Sequence, residues 1–246
     1  LICLKDGTIL CSTNAGLLRS FDNGYTWEGP FHLPVFSPNG MANGIDGHIY
    51  YVGSSKRGEI LYTEIFRSKD KGKTWEKYTT IWLSKGYTPM DIFDYLDEPS
   101  LFISNKVWIV TYRREFTDRS LSFIYQQFSY DGGSTWTWPM KTPMWGFPAV
   151  VMELTDNRLL CTYGYRRAPF GIRASISFDW GNTWRVDQEI IIRKDGGGSQ
   201  IVDDFDIGYP KSLLLNDGRI FTVYYLNKKG SNCFIAGSFF RVTLTK

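Results

Sequence analysis

The chain of 246 residues is long enough to bury a substantial core, as one large all-β domain or two small ones, and its net charge is only +3. Basic residues do not gather into runs, which argues against an extended nucleic-acid footprint, and no stretch reaches the roughly 20 apolar residues of a membrane span. Aromatic residues make up 17% of the chain, a composition suited to strands and to platforms for sugar rings.

The first element, "LICLKDGTIL", reads as a strand entering an Asp-Gly turn and leaving as a second strand. It begins without Met, so sequence upstream is expected to be missing. A further strand then runs into "SFDNGYTW", Ser20 to Trp27. The same order returns as "GIDGHIYYVG" with "SKDKGKTW" from Ser68, "LFISNKVWIVTY" with "SYDGGSTW" from Ser129, and "VMELTDNRLLCTY" with "SFDWGNTW" from Ser177. A fifth hairpin, "SLLLNDGRIFTVYY", is followed by the strand "FIAGSFFRVTL" without the octapeptide.

The octapeptides start 48, 61 and 48 residues apart, the length of a four-stranded sheet with its loops. Their composition explains itself as a turn. Asp accepts hydrogen bonds from its own turn, Gly supplies a positive φ, Ser and Thr cap neighbouring amides, and Trp packs between sheets. Asp22, Asp70, Asp131 and Asp179 are therefore expected to be structural. No segment keeps a 3.6-residue apolar period. The fold class expected is all-β, a β-propeller of four-stranded antiparallel blades in a single domain over residues 1–246, with five modules visible.

Cys3, Cys11, Cys161 and Cys233 show no C-x-x-C spacing and no His-rich surroundings, so no metal site is expected, and free thiols are. "GGGSQ" at Gly196 lacks the Lys and helix of a phosphate loop. No cofactor is expected.

The S-x-D-x-G-x-T-W turn between hairpins resembles the Asp-box, or bacterial neuraminidase repeat, and four copies make the chain similar to the sialidase (neuraminidase) superfamily. That resemblance implies six blades, the sixth coming from sequence upstream. It also implies an exo-glycosidase that removes a terminal, acidic, sialic-acid-like sugar, with a glycan or oligosaccharide as partner and a secreted or periplasmic location. Non-catalytic glycan-binding propellers and polysaccharide lyases carry similar boxes, and both remain as alternatives.

The resemblance also points to residues. Tyr209 stands eight positions before Asp217 in "GYPKSLLLNDG", the place of the sialidase nucleophile. "DEPSLFISNKVWIVTYRRE" is similar to the family's Glu strand and implies Glu98 as the base and Arg113 as a carboxylate-binding Arg. Arg166, Arg167 and Arg173 in "GYRRAPFGIRASISFD" are further substrate-binding candidates, because a guanidinium fork suits a carboxylate. For the acid, Asp206 in "DDFDIGYP" is placed above Asp46, which doubles as a turn residue. The family's Phe/Tyr-Arg-Ile-Pro motif is absent, Pro210 follows Tyr209 where Ser is usual, and "VYY" replaces L-Y-E.

Overall fold

A computed structural model describes residues 1–85, 96–114, 118–197, 207–228 and 232–243. The fold is all-β, with sheets of the β-propeller blade type. The first sheet holds β1 (Ile2–Cys3), β2 (Ile9–Thr13), β3 (Gly16–Ser20) and β4 (Glu28–Phe31) in sequence order. The second holds β5 (Met41–Asn43), β6 (Ile49–Arg57), β7 (Ile60–Ser68) and β8 (Glu76–Lys85). The third holds β9 (Asp97–Ile103), β10 (Trp108–Arg113), β11 (Phe123–Ser129) and β12 (Met140–Trp145). The fourth holds β13 (Ala149–Glu153), β14 (Leu159–Tyr165), β15 (Gly171–Ser177) and β16 (Ile190–Arg193). The fifth, β17 (Gly208–Leu214), β18 (Ile220–Leu226) and β19 (Phe234–Phe240), has three strands among the described residues.

Five sheets form among the described residues, one for each of the five modules counted in the sequence, and no sixth is found among them. Each expected hairpin supplies the first two strands of its sheet, and each octapeptide joins the third strand to the fourth, with Ser20, Ser68, Ser129 and Ser177 as last residues of β3, β7, β11 and β15.

The chain divides into two compact units, residues 1–110 with 127–138, and residues 111–126 with 139–246. In the first, Leu10, Leu17, Met41, Ile49 and Tyr51 form a buried cluster, and the Tyr51 hydroxyl accepts from the Ser37 amide at 3.0 Å. In the second, β14 and β15 are buried on both faces, which is why "LLCTYGY" and "GIRASIS" read as continuous runs. Their side chains join Ile220 in one cluster, while Ile172, Ile207, Tyr224 and Leu226 form another. β18 alternates buried and half-buried, so one face packs inward. Cys3, Cys11 and Cys161 are free thiols; Cys161 is buried in β14, where loss of water pushes its thiol well above the ordinary value, whereas Cys3 and Cys233 are exposed.

The Asp turns work as their composition requires. In the first, Thr26 donates its amide to Asp22 Oδ1 at 2.9 Å and its hydroxyl to Oδ2 at 2.6 Å, Ser20 Oγ donates to Oδ1 at 2.8 Å, and the Gly24 amide returns to Ser20 Oγ at 2.8 Å. Asp131 repeats this set with Thr135, Ser129 and Gly133. The Trp27 and Trp136 indoles donate to the carbonyls of Gly24 and Gly133 at 3.0 Å. Hydrogen bonds from the threonines, first of all from their hydroxyls, hold the Asp22 and Asp131 carboxyls at about 2, below their ordinary 3.8.

A depressed folded-state value adds stability above the unfolded value and loses it as protons return. Stability is therefore expected to fall as pH drops from about 4 toward 2. In denaturant titrations across that window, the double variant Asp22→Asn, Asp131→Asn should be less stable than wild type at neutral pH and show a flatter pH profile. An unchanged slope would remove these turns as the source of acid sensitivity.

Candidate active site

The site is built at strand ends of the third, fourth and fifth sheets, which in the third and fourth are the ends opposite the Asp turn. β17 opens with Gly208 at φ 129° and Tyr209 at φ 49°, a left-handed backbone that a side chain rarely adopts. Pairing of Gly208 with Tyr225 shifts register before Lys211 meets Val223, so an irregularity in the ladder sets Tyr209 apart from regular strand. Glycine is needed at 208, where a Cβ would lie 3.1 Å from Gly164 Cα. The half-buried Tyr209 ring stacks on Tyr225, with centroids 5.6 Å apart and planes at 24°. Two residues on, crowding by protein pulls the Lys211 ammonium below the ordinary lysine value, although the residue keeps some exposure.

Arg166 follows β14 directly and is only 7% exposed. Its Nε donates to the Ile207 carbonyl at 2.8 Å, and one Nη reaches the Tyr225 hydroxyl at 3.4 Å. Its guanidinium carbon lies 5.7 Å from the Tyr209 ring centre and 5.3 Å from that of Phe147. Arg113, at the end of β10, lies 4.7 Å from the same Phe147 ring. Phe147 is buried, precedes Pro148 through a cis peptide bond, and donates its amide to the Gly164 carbonyl at 3.0 Å.

Beside it, Trp145 and Tyr165 meet edge to face at 5.3 Å and gather the other two arginines. Arg167 is exposed, 4.2 Å above the Trp145 ring, and donates to the Tyr165 hydroxyl at 2.7 Å. Arg173 is 4% exposed and lies 4.4 Å from the Tyr165 ring. Its contacts are long: 3.4 Å to the Pro169 carbonyl and 3.7 Å to Glu189, and its buried Nε has no partner among the described residues. Glu189 is held by the Tyr163 hydroxyl at 2.5 Å, and burial pushes that phenol far above its ordinary value. The result is a set of cations on an aromatic floor, of which Arg173 has been taken out of water without full compensation.

The structure thus brings Arg113 and Arg166 together over Phe147, with Tyr209 on Arg166, and Arg167 and Arg173 around Tyr165. Glu98 belongs to the other unit, where it sits second in β9 at φ 48°, the same backbone region as Tyr209, and its amide donates to Asp97 Oδ1 at 2.8 Å. Asp46 lies in the turn of its own hairpin. Its carboxylate accepts from the Tyr50 hydroxyl at 2.8 Å, the His48 amide at 3.1 Å and His48 Nδ1 at 2.7 Å. Burial raises its carboxyl, but these donors outweigh it and leave it below the ordinary value, the reverse of what a proton-donating acid needs. Asp206 lies outside the described residues.

Phe147, Trp145, Tyr165, Tyr225 and Glu189 were not marked by sequence reasoning. The usable signals were slight: a Gly and an X-Pro bracketing Phe147 in "WGFP", and the "VYY" ending of the last hairpin. Among the described residues no three His, Cys, Asp or Glu side chains group as metal ligands, and no helix is long and apolar enough to cross a membrane.

A family model described as the BNR repeat-like domain matches residues 6–222. Among solved structures, a protein of unknown function from Dyadobacter fermentans DSM 18053 is 28% identical, with 97% of this chain and 74% of that one covered at a TM-score of 0.79. A Hadza microbial sialidase is 17% identical, with 95% and 50% covered at 0.63. The α-L-arabinanase of Penicillium chrysogenum, complexed with arabinobiose, is 14% identical, with 98% and 91% covered at 0.61. No curated protein matches the sequence.

Proposed function

Because this chain belongs to the BNR repeat-like domain family, we propose that the aromatic and arginine-lined corner described above is the active site of a glycoside hydrolase acting on a terminal acidic sugar. The observation that carries the reading is Arg173. A guanidinium removed from water, with long contacts and a spare buried donor, gains most from an anion that can complete its hydrogen bonds. Arg113 and Arg167 supply further positive charge, held over the rings of Phe147 and Trp145. The sialidase and the arabinanase named above place glycoside chemistry on the same scaffold and support the reaction class. The cations favour the acidic sugar over a neutral one.

Tyr209 is the nucleophile in this reading. At an anomeric carbon bearing a carboxylate, a neutral phenol approaches with less repulsion than a second carboxylate, and the products retain configuration through a tyrosyl intermediate. The direct test is release of the aryl group from matched aryl sialosides, α-L-arabinofuranosides and xylosides. Turnover of the sialoside is expected. An unsaturated product absorbing in the near ultraviolet would make the protein a lyase, and binding without product a glycan-binding module.

Arg173→Lys keeps the charge but not the fork, so affinity for a carboxylated sugar should fall about tenfold or more while a neutral sugar binds as before. Calorimetric titration separates the two. Equal losses for both sugars would discard the carboxylate assignment.

A further inference from the structure

We infer that Arg166, a substrate-binding candidate by sequence, is instead a positioning residue that fixes the Tyr209 corner. The inference rests on the role given above to Tyr209. Among the described residues, each hydrogen bond and ring contact of Arg166 is with the segment that carries Tyr209 or with the rings around it. Nε is committed to the carbonyl of Ile207, two residues before the tyrosine. One Nη reaches the hydroxyl of Tyr225, whose ring is stacked on Tyr209. The plane of the guanidinium is fixed by these bonds, and its carbon stands 5.7 Å from the Tyr209 ring centre and 5.3 Å from that of Phe147.

The backbone there needs such a brace. Gly208 and Tyr209 both have positive φ, a conformation that persists only where the surroundings over-determine it. Gly208 is packed against Gly164 just ahead of Arg166, so the residues before and after Tyr165 contact the same corner. With Nε on a main-chain carbonyl and one Nη turned to Tyr225, the side-on fork of this buried guanidinium is already occupied by protein. Arg167, the next residue, is exposed and lies over Trp145 instead.

The experiment compares wild type with Arg166→Lys, Arg166→Met and Tyr225→Phe, all checked for melting. It measures kcat and KM on an aryl sialoside and Kd for free sialic acid by calorimetry. A misplaced reacting group is expected to lower kcat about 100-fold in Arg166→Met and Arg166→Lys, with Kd changed less than threefold and no rescue by Lys. Tyr225→Phe, which keeps the stacked ring and removes only the hydroxyl, should lower kcat severalfold. A tenfold weaker Kd with kcat held would return Arg166 to ligand binding. The carbon-13 resonance of the Tyr209 phenol, identified by its loss in Tyr209→Phe, gives a readout without turnover. It should move in Tyr225→Phe and Arg166→Lys, and an unmoved resonance overturns the brace. Should wild type cleave no glycoside while the resonance does move, the hydrolase reading falls and the brace stands.

Discussion

Tyr209→Phe is expected to fold with an unchanged melting temperature, to bind sialic acid within twofold of wild type, and to lose roughly three orders of magnitude or more in turnover. The stacked ring on Tyr225 survives the change, so packing is kept, and the nucleophilic oxygen alone is removed. Direct binding and kcat on an aryl sialoside, at matched folded concentration, separate these effects. A fluorinated sialoside should trap the wild-type intermediate, with the label on the peptide containing Tyr209. Comparable rates for the two proteins, or a label on another residue, would take Tyr209 out of the mechanism.

Gly146→Ala should be among the most damaging small substitutions, lowering stability by roughly 3 kcal/mol or more. Gly146 sits at φ 142°, and a Cβ there would stand 2.5 Å from the Gly164 carbonyl oxygen and 2.9 Å from the Tyr163 ring. Neither neighbour can yield, because Gly164 pairs with Ile172 and Tyr163 is fully buried. Gly132→Ala is the matched control: φ is 70°, but nothing lies within 4 Å, so only the backbone penalty of about 1 kcal/mol applies. Urea denaturation of both variants checks the contrast, and similar losses would show that conformation rather than crowding sets the cost. Since Phe147 follows Gly146, whatever Gly146→Ala variant still folds should also bind a carboxylated sugar more weakly.

The hairpins and Asp turns were legible in the sequence because their information is local. Asp, Gly, Ser and Thr complete a turn with atoms a few residues away, and pattern alone reveals it. The five modules counted from the residues correspond one to one with the five sheets, whereas the sixth blade came from resemblance alone. Tyr209, through its spacing to Asp217, and Arg113, through the Glu-bearing strand, were marked by resemblance to the sialidase superfamily. Phe147 and Trp145 were not, since a hydrophobic residue declares nothing about whether its ring faces a core or a cation. Arg166 and Arg167 are adjacent and chemically identical in the sequence, yet one is buried against main chain and the other is exposed over the Trp145 ring. Only the local path of the backbone after β14 separates them. For Asp46 the sequence offered a turn and an acid together, and three donors on its carboxylate show the turn at work.

The closed bonding of the Asp turns has a further consequence. In the first and third of them every polar group that holds the turn, the indole included, finds its partner inside the same eight residues. The fourth is less self-sufficient, since the Trp184 indole donates to the Gln126 side chain. A clasp that asks nothing of its surroundings can be duplicated with its sheet or grafted onto another. It also leaves the far ends of the strands free to drift in length and chemistry without loosening the fold. Transplanting the Ser129–Trp136 segment in place of Ser177–Trp184, which amounts to Phe178→Tyr, Trp180→Gly and Asn182→Ser and keeps every residue of the closed bonding, should therefore be tolerated.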